Sequence, residues 1–192
     1  MKKSIVILAL LSIVSTVAQA EVVGFDSPPI PWGSRMTGSY EENGMLFSGW
    51  YAYAGDMDSL WPENGSEGYL SFATGSSLRV ESVNGDAFSL NSVDLAEYSR
   101  VSLGNQKEII FQGFRTDGAV VTESFTIDGE MDGINDFETF YFSEDFSNLE
   151  FFKVNTTTYS MDNLNFTTAV PVPGALWLLG SSLIGLVGVA RR

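Results

Sequence analysis

Six Asn-Gly or Asp-Gly dipeptides punctuate this chain, at residues 43–44, 64–65, 84–85, 117–118, 128–129 and 132–133. Each tolerates the positive φ angles of a tight hairpin turn, and the apolar residues between them alternate with polar ones instead of recurring at helical spacing. A chain interrupted this often has room for short strands and little else. Residues 107–115 and 119–127 flank Asp117-Gly118, with Ile109 and Phe111 on one face and Val121, Phe125 and Ile127 alternating on the partner, so a hairpin is expected there. The same logic places a second hairpin at residues 78–83 and 86–91 around Asn84-Gly85. Further strand-like runs cover residues 22–26, 45–53, 69–73, 136–142, 149–154 and 159–167. The pattern predicts an all-β domain, a jelly-roll-like antiparallel β-sandwich. Phe137, Phe140, Tyr141, Phe142, Phe146, Phe151 and Phe152 are expected to fill the space between its sheets, and Trp50 to join the core.

The two ends obey different rules. Lys2 and Lys3 precede an uncharged apolar stretch over residues 5–17, and Ala18-Gln19-Ala20 supplies small residues where a signal peptidase reads, so residues 1–20 are expected to be a removed signal peptide. At the other end Pro171 and Pro173 are followed by an uncharged run over residues 174–190 and then by Arg191 and Arg192. Seventeen residues are at the short end of what crosses a hydrocarbon core of roughly 30 Å as a helix. The prolines cannot lie inside that transmembrane helix, and the arginines would stay cytoplasmic by the positive-inside rule, which puts everything upstream on the far side of the membrane.

The tail Val170-Pro171-Val172-Pro173, followed by GALWLLGSSLIGLVGVA and the two arginines, resembles a PEP-CTERM sorting signal in its VPxP-type variant. The resemblance covers residues 170–192, and Val172 stands where the family has the Glu of Pro-Glu-Pro. It implies recognition by an exosortase, a membrane-embedded cysteine protease-transpeptidase, and a destination in the cell envelope or the extracellular matrix. The FETFYF, FSNLEFF and YSMDNLNF segments are also similar to the ends of exported members of that family, in which a strand carrying Asp-Asn completes the sandwich. In sandwich carbohydrate-binding modules, an Asp on the last strand joins an acid near the first to hold a structural calcium ion. By position, Asp162 and Asp26 fit that scheme.

Between the ends, residues 21–169 form one domain's length and hold all twenty-four carboxylates against six cations, a formal charge of −18. That field repels phosphate backbones, which argues against nucleic acid as a partner, and it favours cations. With neither cysteine nor histidine, the chain has no disulfides, no histidine-based triad and no common zinc or copper ligand set. It also lacks the GxSxG elbow, the P-loop and the dinucleotide fingerprint. A glycosidase needs only two carboxylates, a requirement that so acidic a chain meets by chance. The chain is therefore expected not to be an enzyme.

Calcium takes six to eight oxygens and would suit this composition; Asp132, Asn135 and Asp136 form one oxygen-rich turn, and Asp56 and Asp58 another. Neither follows the EF-hand pattern, and solvated turn acids explain both as well. Trp32 and Trp61 lie in loop-like Pro-Trp-Gly and Leu-Trp-Pro settings where a ring could be displayed to a sugar. The expected function is structural or adhesive, within an extracellular polysaccharide or biofilm. A calcium-stabilised carbohydrate-binding module is the alternative.

Overall fold

The structure is a computed structural model that describes residues 19–26, 35–54, 62, 65, 68–99, 106–131, 136–155 and 158–168, with the backbone alone at 35–38, 50–54 and 73–76. Residues 19–168 form one compact unit. Its described residues form ten strands: β1 (Gln19–Val23), β2 (Arg35–Glu42), β3 (Met45–Ala54), β4 (Leu70–Ser82), β5 (Phe88–Glu97), β6 (Lys107–Arg115), β7 (Val120–Ile127), β8 (Glu138–Tyr141), β9 (Leu149–Val154) and β10 (Tyr159–Thr168). Every pairing among them is antiparallel, in two layers. All ten belong to one hydrogen-bonded sheet in the order β2-β3-β4-β10-β5-β9-β6-β7, with β1 added to β10 and β8 to β5; folded over a shared core, it presents β1, β10, β5 and β8 as one layer and β2, β3, β4, β9, β6 and β7 as the other.

The layers are joined at two corners, so hydrogen bonding runs almost around the molecule. Long β4 pairs at its start with the start of β10, Leu70 opposite Met161, and farther on with β9, Leu78 opposite Val154. At the other corner Phe88 of β5 lies opposite Leu149 of β9. The sandwich expectation is met in its all-β, antiparallel character, and the closure makes it nearly barrel-like.

Inward residues from both layers meet in one core that includes Val23, Phe47, Val80, Phe88, Phe111, Phe152, Met161 and Phe166, all at most 1% exposed. Burying each such phenylalanine contributes roughly 1.5–3 kcal/mol. A smaller cluster of Tyr69, Ala96 and Phe137 lies apart from this core. Ser71 and Ser160 are buried too; their hydroxyls meet at 2.7 Å, and Ser160 donates to the Glu97 carbonyl, so neither leaves an unmet polar group.

Three sequence expectations change. Asn84-Gly85 does form a turn, with Gly85 at φ 74° and its N–H donating to Ser82, but β4 and β5 are not paired. The turn carries the chain from one layer to the other. A dipeptide specifies a local reversal; where the outgoing strand pairs depends on its apolar face, and that of β5 fits against β10. The runs at 69–73 and 78–83 are one continuous strand, and β2 is a strand that the alternation of the sequence does not mark. Asn43-Gly44 closes a β2–β3 hairpin with both residues at positive φ, whereas the Asp117-Gly118 hairpin of β6 and β7 has the expected register, Ile109 opposite Phe125.

The aromatic run is the third correction. Phe146 and Phe152 are core, but Phe137 belongs to the small cluster, Phe151 is half-buried, and Tyr141 is 74% exposed. Trp50 lies in β3, and its side chain is outside the described residues.

Candidate functional site

In β10 the inward positions are Tyr159 and Met161, then Leu164 and Phe166, so the alternation slips by one across Asp162-Asn163. The pairing register with β5 breaks at the same place, and Asn163 sits at φ 46°. This is a β-bulge, and asparagine tolerates its left-handed conformation better than most residues do. The bulge leaves Asp162 buried directly opposite Asp94 of β5.

Asn163 ties the two acids together. Its backbone N–H donates to Asp162 Oδ1 at 2.7 Å and its Nδ2 to Asp94 Oδ2 at 2.9 Å, while Thr139 of β8 donates to Asp94 Oδ1 at 2.6 Å. With Nδ2 committed to Asp94, the amide oxygen turns toward the loop after β1. A Cβ placed on Gly24 would lie 3.5 Å from Asp26 Oδ2 and 3.8 Å from Asn163 Oδ1. Asp26, an exposed loop residue, is thus brought to the residue beside Asp162. The sequence pairing of Asp26 with Asp162 did not include Asn163, whose signal was the Asp-Asn dipeptide itself. Among the described residues, no group of three or more acidic side chains has metal-binding geometry.

A second site lies on the outward side of β5. Ser89, Asn91, Tyr141, Ser143 and Glu144 line a groove of about 480 Å³, within the range of small-molecule sites, over buried Leu90 and Phe146. Local structure explains how Tyr141 comes to be displayed. It ends the short strand β8, which pairs with β5 through Ser92; Phe142 then turns inward, held by its N–H to the Asn91 carbonyl at 3.0 Å. Phe142 packs against Phe111 and Phe146, and Ser143 donates both its N–H and its hydroxyl to Glu123 at 3.1 Å. One 3-10 turn, Glu144–Phe146, closes the end of the groove. The Asn91 amide donates to Asn165 and Thr167 at 2.8 Å each, leaving its oxygen as an acceptor.

Of the other residues singled out in the sequence, Ala20 lies in β1, exposed and opposite Thr167, and the pairing continues through Val23 opposite Leu164. Asp136 is buried. Ala18, Trp32, Asp56, Asp58, Trp61, Asp132, Asn135, Val170, Pro171, Val172 and Pro173 lie outside the described residues, as does the expected transmembrane helix. No helix among the described residues is long and apolar enough to cross a membrane.

No family model and no curated protein matches the sequence. Solved structures similar to the chain include a family 29 carbohydrate-binding module, at a TM-score of 0.40 and 10% identity over 82% of this chain and 99% of that one. Another is a CBM32 module from a family 31 glycoside hydrolase of Clostridium perfringens, at 0.35 and 14% identity over 67% and 99%. A third is the family 11 carbohydrate-binding module of Clostridium thermocellum in complex with a β-1,3-1,4-mixed-linked tetrasaccharide, at 0.36 and 13% identity over 80% and 96%.

Proposed function

We propose that this chain is an exported, non-enzymatic carbohydrate-binding module that acts as an adhesive or structural component of an extracellular polysaccharide, with the groove beside Tyr141 as its sugar site. The observation that carries this reading is Tyr141, a large aromatic ring 74% exposed at the mouth of a groove lined by hydroxyls, an amide and a carboxylate. Sugars present C–H faces that stack on exposed rings, and their hydroxyls pair with Ser, Asn and Glu. A single exposed ring is ordinary on a protein surface; what supports a sugar site is its place at the edge of a groove whose polar groups converge on the same space.

Export rests on the terminal segments. The signal peptide ending at Ala20 would send the domain across the inner membrane, and the segment over residues 174–190 would hold it there. Exosortase cleavage near Val170, Pro171, Val172 and Pro173 would release it to the envelope or matrix. A structural calcium ion near Asp26 and Asp162 suits the oxygen-rich convergence of Asp26 and Asn163 around Gly24.

The test is retention of the full chain on a panel of insoluble polysaccharides, with Tyr141→Ala as the variant. Saturable retention that the variant loses supports the module. Retention of neither protein would favour a purely structural role, and release of reducing ends would favour a hydrolase.

A further inference from the structure

Arg79 of β4 and Lys153 of β9 lie directly opposite each other on the outward side of the second layer. The domain has six cations among twenty-four carboxylates, and like charges at directly opposed positions cost stability. Placing two of the six together is therefore unfavourable unless something else compensates. Glu81 compensates one: its Oε2 accepts Arg79 Nη2 at 2.6 Å and Nε at 3.1 Å. The guanidinium also lies 3.5 Å from the ring centre of Phe151, which stacks on Phe114 at 4.3 Å, so its plane is fixed.

Lys153 remains. In so acidic a domain its ammonium has no carboxylate within ion-pair distance among the described residues, and stands 5.5 and 5.6 Å from the rings of Phe114 and Phe151. Together with Ser48, Ser77 and Asn155, the two cations line a shallow groove of about 350 Å³ beside Gly49. Gly49 keeps β3 and β4 close, since a Cβ there would lie 2.4 Å from the Ser77 carbonyl oxygen. Asn155 donates its amide to Gln112 at 3.1 Å, which leaves its oxygen free to accept.

We infer that this groove binds the carboxylate of an acidic sugar, a hexuronate unit of a polysaccharide, with Lys153 and the free edge of Arg79 on the carboxylate and Ser77 and Asn155 on neighbouring hydroxyls. The ligand class rests on the carbohydrate reading above, but the groove is separate from that of Tyr141. An acidic peptide fits less well. A dense run of charge meets the repulsion of the whole domain, whereas one carboxylate flanked by hydroxyls needs only a local cation and neutral hydrogen-bonding groups, with distant charges screened beyond about 8 Å at physiological salt.

Calorimetric titration of the full chain tests this with a short neutral oligosaccharide carrying a single hexuronate unit, the same oligosaccharide with that one carboxyl reduced to the alcohol, and a short oligoglutamate. The charged sugar is expected to bind about tenfold more tightly than the reduced one, the loss of roughly one charge-assisted hydrogen bond. Lys153→Gln should weaken it by a similar factor. Ser77→Glu, at an exposed position, should do the same by repulsion and does not depend on how Lys153→Gln folds. Binding at the Tyr141 groove is read separately, by retention on neutral polysaccharides, so its failure there would not count against this groove. Equal binding of charged and reduced sugar, oligoglutamate binding as tightly as the sugar, or insensitivity to both groove variants would overturn the inference.

Discussion

Asp94 and Asp162 face each other across β5 and β10, and Asn163 lies between them as donor to both. Asn163→Ala removes the side-chain donor and places a residue with a costly left-handed φ in the bulge, so it should lower unfolding free energy by roughly 2–4 kcal/mol. Asn163→Gly keeps the φ and the backbone N–H and should cost about half as much. Urea unfolding of both variants checks the order, and equal losses would contradict it.

Gly68 supports the Asp26 loop by close approach. A Cβ there would lie 2.4 Å from the Phe25 carbonyl oxygen and 3.2 Å from Asp26 Oδ1, so backbone must shift. Gly68→Ala should cost about 1–3 kcal/mol, as overpacking does. If calcium is held at Asp26 and Asp162, calcium should also raise the thermal midpoint of the parent and chelator should reverse the rise, because a ligand of the native state alone stabilises it. The rise should be smaller in Gly68→Ala and absent in Asp26→Asn. A parent midpoint indifferent to both additions removes the ion from this account.

Glu97 sets a pH dependence of defined sign. Burial raises its carboxyl above the ordinary value of 4.5, the N–H of Gly129 at 2.7 Å pulls it partly back, and Asp128 and Glu138 push it up again. The folded state therefore holds this proton more tightly than the unfolded chain. Its contribution favours folding below the ordinary value and is lost as pH rises through the raised one. Glu97→Gln keeps an acceptor for Gly129 and carries no charge. It should be more stable than the parent at neutral pH, with the difference shrinking toward pH 4, and denaturant midpoints across that range measure it.

Much of the fold was legible because short strands with one buried face write their period into the chain. The β6–β7 hairpin is the clearest instance, since Ile109, Phe111, Phe125 and Ile127 and the turn at Asp117-Gly118 all specify the same register. The turn at Asn84-Gly85 was equally clear and its consequence was not, because pairing across layers is decided by distant strands. β2 was obscure because its only large apolar residues are Met36 and Tyr40, in a stretch otherwise polar or glycine. The candidate site divided in the same way. Asp26 and Asp162 were suggested by position, but Asn163 became visible only with the bulge. Tyr141 was counted as core within a run of aromatics, although alternation alone sends it to the side opposite Phe140 and Phe142.

Exposed Tyr141 touches little, so replacing it should barely change stability, within about 0.5 kcal/mol. Its effect on binding should be large. Retention of the full chain on the polysaccharide it prefers, compared across the parent, Tyr141→Phe and Tyr141→Ala, tests the central claim most directly. The account predicts that the parent and Tyr141→Phe are retained and Tyr141→Ala is not, with all three melting at the same temperature. Retention of Tyr141→Ala equal to that of the parent would contradict it.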